Sequence, residues 1–181
     1  KFSNTNVNLA GFFKSGNNLE WNASLGMKQE KLYKYGYLPT SLTFPMDSLK
    51  VNFQTIAARI AMHNINKTEF GLTYAPEVKI DVFSDHLKNS ESNTVLNFPL
   101  EKTIGKLFAV KLGVTFDLTR LSPKNKTAIN NTMYYLSPSV LYKGSNINAQ
   151  VGIRPSWDNK TFKMFPNVLA DISTEDERFT F

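Results

Sequence analysis

The chain has 181 residues, no cysteine, two histidines and a net charge of +6, which is enough length for one domain with a sizeable core. The missing cysteines exclude disulfides, a thiolate nucleophile and zinc-thiolate sites. The basic residues are scattered along the chain and do not form a block, so no nucleic-acid partner is expected.

Period-2 alternation, the signature of a half-exposed strand, recurs from the first residues onward. A run at 5–14 opens the series. In 19–27, Leu19, Trp21, Ala23, Leu25 and Met27 share one face, opposite Glu20, Asn22, Ser24, Gly26 and then Lys28. The segment 31–49 reads as a long connection holding Tyr33, Tyr35, Tyr37 and Phe44 beside Pro39, Pro45, Lys31 and Lys34. Those aromatics suit stacking on a ligand or gripping a partner, and the alternation of the three tyrosines equally suits an extension of the strand.

Around 51–62 the apolar phase shifts from Val51 and Phe53 to Ile56, Ala58, Ile60 and Met62, which predicts a β-bulge near Gln54 or Thr55. In "TEFGLTYAPEVKIDVFSD" alternation holds for about thirteen residues from Phe70, more than twice an ordinary strand. Its apolar phase is Phe70, Leu72, Tyr74, Pro76, Val78, Ile80 and Val82; its polar phase includes Glu69, Glu77, Lys79 and Asp81. Further runs follow at 93–100, 107–119, 133–142, 147–157, 162–172 and 177–181. No convincing helix interrupts them, and no apolar stretch is long enough for a spanning helix. No linker or composition shift divides the chain, so 1–181 reads as a single β domain of about ten strands.

Short links at 15–18, 64–67, 101–106, 143–146 and 173–177 alternate with longer ones at 31–49, 84–92 and 120–130; the short "DNK" at 158–160 breaks the scheme. Strands this long, two-faced and joined in this way predict an antiparallel up-and-down transmembrane β-barrel, whose apolar residues meet lipid and whose polar residues line the lumen. Candidate lumen residues are Arg59, Glu69, Glu77, Lys79, Asp81, Lys111, Asp117, Arg154, Lys163 and Asp171. Pro76, Pro138, Pro155 and Pro166 all fall on the apolar phase, and a proline removes a ladder hydrogen bond that lipid cannot replace. They are therefore expected at the bilayer boundary or at bulges. The alternative is a soluble or secreted β-sandwich, or a lipocalin-like ligand-binding module, with the apolar faces as its core.

"KLYKYGYLPTSLTF", "YYLSPSVLYKG" and "FPNVLADISTEDERFTF" resemble the barrel portion of Bacteroidetes-type outer-membrane proteins of the TonB-dependent-receptor-like group. The resemblance implies residence in a Gram-negative outer membrane, among its lipid and lipopolysaccharide. It further implies a role in transport, pore formation or an envelope complex with protein partners. No plug domain or energy-coupling box is visible at the amino end, and ten strands fall short of the twenty-two of a full receptor. The resemblance thus fits either part of a longer barrel or a small one ending in Phe179 and Phe181.

Little points to chemistry. A Ser/His/acid triad would need His63 or His86 beside an acid and a serine; His86 lies in the polar "SDHLKNSES" loop, where a solvated histidine is expected, and His63 at a strand end beside a turn. The acids of "DISTEDE" do not have the spacing of an EF-hand loop. No enzymatic activity and no cofactor or metal are expected.

Overall fold

The computed structural model describes residues 2–33 and 49–172. Ten strands follow one another: β1 (Ser3–Ser15), β2 (Leu19–Tyr33), β3 (Lys50–Asn64), β4 (Leu72–Tyr74), β5 (Glu77–Asp85), β6 (Ser90–Ile104), β7 (Phe108–Ser122), β8 (Ile129–Lys143), β9 (Ile147–Asp158) and β10 (Thr161–Ile172). Each pairs antiparallel with its neighbour in one up-and-down sheet of order β1-β2-β3-β5-β6-β7-β8-β9-β10, with β4 also on β6. No helix among the described residues is long and apolar enough to cross a membrane. Among the described residues β1 and β10 are not paired with each other, so the sheet is open.

β4 and β5 occupy a single lane beside β6. Leu72 lies opposite Lys102 and Glu77 opposite Asn97, which is the same register, and between them the Ala75 N–H donates to Pro99 O at 3.2 Å. The interruption is on the other side. Pro76 has no N–H to give β3, although its carbonyl still accepts from Met62 N–H at 2.9 Å. The long run predicted from Phe70 is thus one lane with a proline break. It starts later than alternation suggested, because Gly71 has φ +70° and closes a turn with its N–H on Thr68 O. Phe70 and Glu69 belong to that turn, so Glu69, expected to face a lumen, lies outside the strands and is exposed.

No bulge occurs near Gln54 or Thr55. β3 keeps one register with β2 from Lys50 to Asn64 and one with β5 from Phe53 to Ala61. The phase shift reflects apolar residues placed on the polar face: Phe53 stacks there on Phe83, with ring centroids 5.7 Å apart.

None of the remaining three prolines lies at a bulge. Pairing of β8 with β9 lapses between Tyr135–Ser156 and Ser139–Gly152, where Pro138 and Pro155 lie, and then resumes in the same register, so the gap is a pair of missing donors without an inserted residue. Pro138 sits midway along the apolar face of β8, away from either end. Pro166 is fully registered opposite Ile153, on the edge strand where a proline is best tolerated.

The expected alternation of short and long links is weaker than predicted. The strands run on through much of 84–92 and 120–130, leaving only 86–89 and 123–128 as connections. Tyr33 is the last residue of β2, opposite Lys50. Tyr35, Tyr37, Phe44 and the run 177–181 lie outside the described residues.

Register decides which side chains share a face, because directly opposed residues point the same way. One face carries Leu9, Leu25, Ile60, Ile80, Leu112, Val140 and Val151, all large and exposed. The other carries most of the charged residues, with Lys102 and Arg120 among the few on the apolar side, and, apart from Asn64, all the buried positions: Ala109, Thr115, Ser139 and Ser156. Ala109 is the one buried hydrophobic residue among those described. The described residues therefore form a single layer whose sheltered face is polar and whose open face is apolar.

Candidate functional site

The polar face is concave. Asn97 on β6, Lys111 on β7, Tyr135 on β8, Arg154 on β9 and Asn167 on β10 line one depression, which side chains from five successive strands can do only if the sheet curls toward them. An ion pair agrees. Lys143 on β8 reaches Glu101 on β6, spanning the intervening β7. Ala109 on β7 lies beneath this stretch of the face, at 1% exposure.

On the β2–β6 side the face holds a compact set of charges. Arg59 lies directly opposite Lys79, a like-charge pairing that would be unfavourable alone. Glu77 and Asp81, two residues to either side of Lys79, offset it. Arg59 donates to one oxygen of Glu77 through Nε at 2.9 Å and Nη2 at 2.6 Å, and Lys79 Nζ is 3.0 Å from Asp81. Next to these, His63 stands opposite Glu20, 3.8 Å away, and Lys28 pairs with Glu30 at 3.0 Å.

Hydroxyl and amide bridges dominate on β6 and β7. Asn93 Nδ2 donates to Asp117 Oδ1 at 2.7 Å and to Thr119 Oγ1 at 2.8 Å, and Thr115 Oγ1 donates to Asn97 Oδ1 at 3.1 Å. Toward β10 the face opens into a concavity of about 460 Å³ lined by Met133, Tyr135, Arg154, Ser156, Asp158, Lys163 and Phe165. There Arg154 lies over the Tyr135 ring at 5.1 Å, a cation–π contact.

Nine of the ten residues expected to line a lumen therefore share this face by register: Arg59, Glu77, Lys79, Asp81, Lys111, Asp117, Arg154, Lys163 and Asp171. Glu69 does not. Sequence reasoning missed Tyr135, Met133 and Phe165. Tyr135 and Met133 alternate in phase with Ser137 and Ser139, a signal that was readable in β8 once its faces were assigned. Phe165 carries no such signal, because it is an apolar residue on the polar phase of β10.

The convex face has its own order. Phe116, Tyr134, Trp157 and Phe162 stand opposite one another on four adjacent strands, with successive ring centroids 6.1, 5.0 and 5.2 Å apart. Phe108 and Tyr142 pair at 5.4 Å on the same face, toward the other end of β7 and β8. The eight residue steps from Phe108 to Phe116 correspond to about 26 Å along the strand. Between the two aromatic groups lie Val110, Leu112 and Val114, opposite Val140, Pro138 and Leu136, with no polar side chain among them.

No protein-family model, curated protein or solved structure matches this chain. Its chemistry is therefore read from the two faces alone.

Proposed function

We propose that this sheet is a wall of a transmembrane β-barrel in a bacterial outer membrane, and that the protein is non-enzymatic, serving transport, pore formation or an envelope complex. The observation that carries the reading is the inversion of the two faces: buried residues are polar and concave, while exposed ones are apolar and convex. In water such an uninterrupted apolar surface is a liability; against lipid it is the stable arrangement. The apolar stretch of about 26 Å bounded by aromatic groups rises about 18–21 Å along the membrane normal at a tilt of about 35–45°, which sets the aromatic groups just inside the two boundaries of a hydrocarbon layer about 25 Å tall. A sandwich or lipocalin-like module would need a second apolar layer over Leu112 and Val140, and the described residues form one layer.

The absence of native cysteine allows a direct test. Single cysteines at Leu112, Val140 and Val151 on the convex face, and at Lys163 and Ser137 on the concave face, are reacted with a membrane-impermeant maleimide in lipid vesicles. Protection of the first three and labelling of the last two is expected. Full labelling of the convex set overturns the reading.

A further inference from the structure

The two edges of the sheet run in the same direction. The ten strands occupy nine lanes because β4 and β5 share one, and successive lanes alternate in direction, so the first and the ninth point the same way. Direct bonding of β1 to β10 would be a parallel seam in a sheet that is otherwise antiparallel throughout. Both edges are also bare: all thirteen residues of β1 and eleven of the twelve of β10 are exposed. At these edges the concave face also carries large apolar residues, with Phe12 on β1 70% exposed and Phe165 and Leu169 on β10 47% and 56% exposed.

We propose that an odd number of further strands, antiparallel to both edges and supplied by polypeptide outside Phe2–Ile172, fills the gap between β10 and β1. This rests on the membrane-wall reading, since lipid offers no water to unpaired edge N–H and C=O groups. A second copy does not serve. Copies inserted in the same sense set β10 of one beside β1 of the next, again parallel, and a two-fold axis that makes them antiparallel turns one copy upside down. The filling strands alternate as this chain does, apolar toward lipid. Their inward residues are apolar where they meet Phe12, Phe165 and Leu169, because those side chains are otherwise bare on a polar face.

The test uses the protein made from its own gene in its own membrane, with benzoylphenylalanine at Phe12 or at Phe165, irradiation, and mapping of the captured peptides by mass spectrometry. Expected are captures, from both positions, of alternating peptides of the same polypeptide outside Phe2–Ile172. Capture of β1 by the probe at Phe165, capture of a second copy of the described sheet, or capture of no peptide overturns the proposal. A disulfide between Val151→Cys and Val168→Cys, directly opposed on β9 and β10, verifies that the sheet has formed. Maleimide reaction at Val140→Cys separates the two ideas. Protection there without the expected capture defeats the seam alone; labelling with the expected capture defeats the membrane reading alone.

Discussion

The side chain of Asn64 replaces a backbone partner for Tyr74, whose N–H donates to Asn64 Oδ1 at 2.8 Å. The same amide donates through Nδ2 to Asn66 O at 2.7 Å and Leu72 O at 2.9 Å. Pro76 has no N–H to give β3, and beyond it the buried Asn64 amide bridges the step to Leu72 and Tyr74. Asn64→Ala strands the Tyr74 N–H and two carbonyls, and a cost of about 1–3 kcal/mol is expected. Denaturant unfolding measures the loss, and amide exchange at Tyr74 should accelerate more than at Ile80.

Gly152 shows what the proline gap in β8–β9 requires of its neighbours. A Cβ there would run into the Pro138 carbonyl and the Cα and Cβ of Ser139, which are mainly backbone and cannot turn aside. At Gly26 the nearest obstacle is the end of the Asn8 side chain at 2.7 Å, and at Gly11 nothing lies within 4 Å. Substitution by Ala is therefore expected to be graded. Gly152→Ala costs about 1–3 kcal/mol or more, Gly26→Ala costs less, and Gly11→Ala is neutral or stabilises by about 0.4–1 kcal/mol through the unfolded chain. Equal unfolding midpoints for the three variants would contradict this.

The alternation of Val110, Leu112 and Val114 against Lys111, Gly113 and Thr115 was legible in the sequence, because a period of two depends only on the pleat. Strand ends were not: Phe70 keeps the apolar phase, yet the positive φ of Gly71 places it in a turn, and phase does not register a backbone dihedral. The bulge inferred at Gln54 failed for a related reason. Phe53 breaks the pattern because Phe83 waits for it across β3 and β5 on the polar face, a long-range pairing that local periodicity does not contain. Most of the concave face could be read from phase, while Phe165 needed the register of β9 with β10.

The Arg59–Glu77 pair should contribute little to stability despite its short contacts. The two side chains are 46% and 30% exposed, so solvent screens them, and a double-mutant cycle with Arg59→Gln and Glu77→Gln is expected to give a coupling of about 0.2–1 kcal/mol. A larger coupling would mean that water is excluded from this part of the face.

The turn after β5 should be pH-sensitive. Beyond the apolar stretch of that strand, the Asp85 carboxylate accepts from Asn89 Nδ2 at 2.7 Å, Asn89 N–H at 2.9 Å and Leu87 N–H at 2.8 Å. These bonds, the Asn89 side chain foremost, hold its pKa below the ordinary carboxylate value. A lowered folded pKa means that the stabilisation is present above the unfolded value of about 4 and is lost as pH falls through the folded one. Acidification below about pH 4 should release the Leu87 and Asn89 amides, seen as movement of their NMR resonances, and Asp85→Asn should remove that transition.

Depth along the convex face gives the sharpest distinction between lipid and water. Leu112 lies opposite Pro138, midway between Phe108 and Phe116, and is 39% exposed. If that surface meets water, Leu112→Arg falls among surface substitutions, which usually stay within about 0.5 kcal/mol. If it meets the middle of a bilayer, the guanidinium must be buried in hydrocarbon or drawn to the interface, at about 2–4 kcal/mol, whereas Phe108→Arg near the end of the strand costs about 0–1 kcal/mol for the charge. Unfolding from lipid vesicles should therefore rank Leu112→Arg well below Phe108→Arg. Lys111 stays on the other face throughout, so Lys111→Leu supplies the control: at a lumen-facing position it should change stability little, whereas a gain of about 2–4 kcal/mol would mean that Lys111 meets lipid and that the two faces have been assigned the wrong way round.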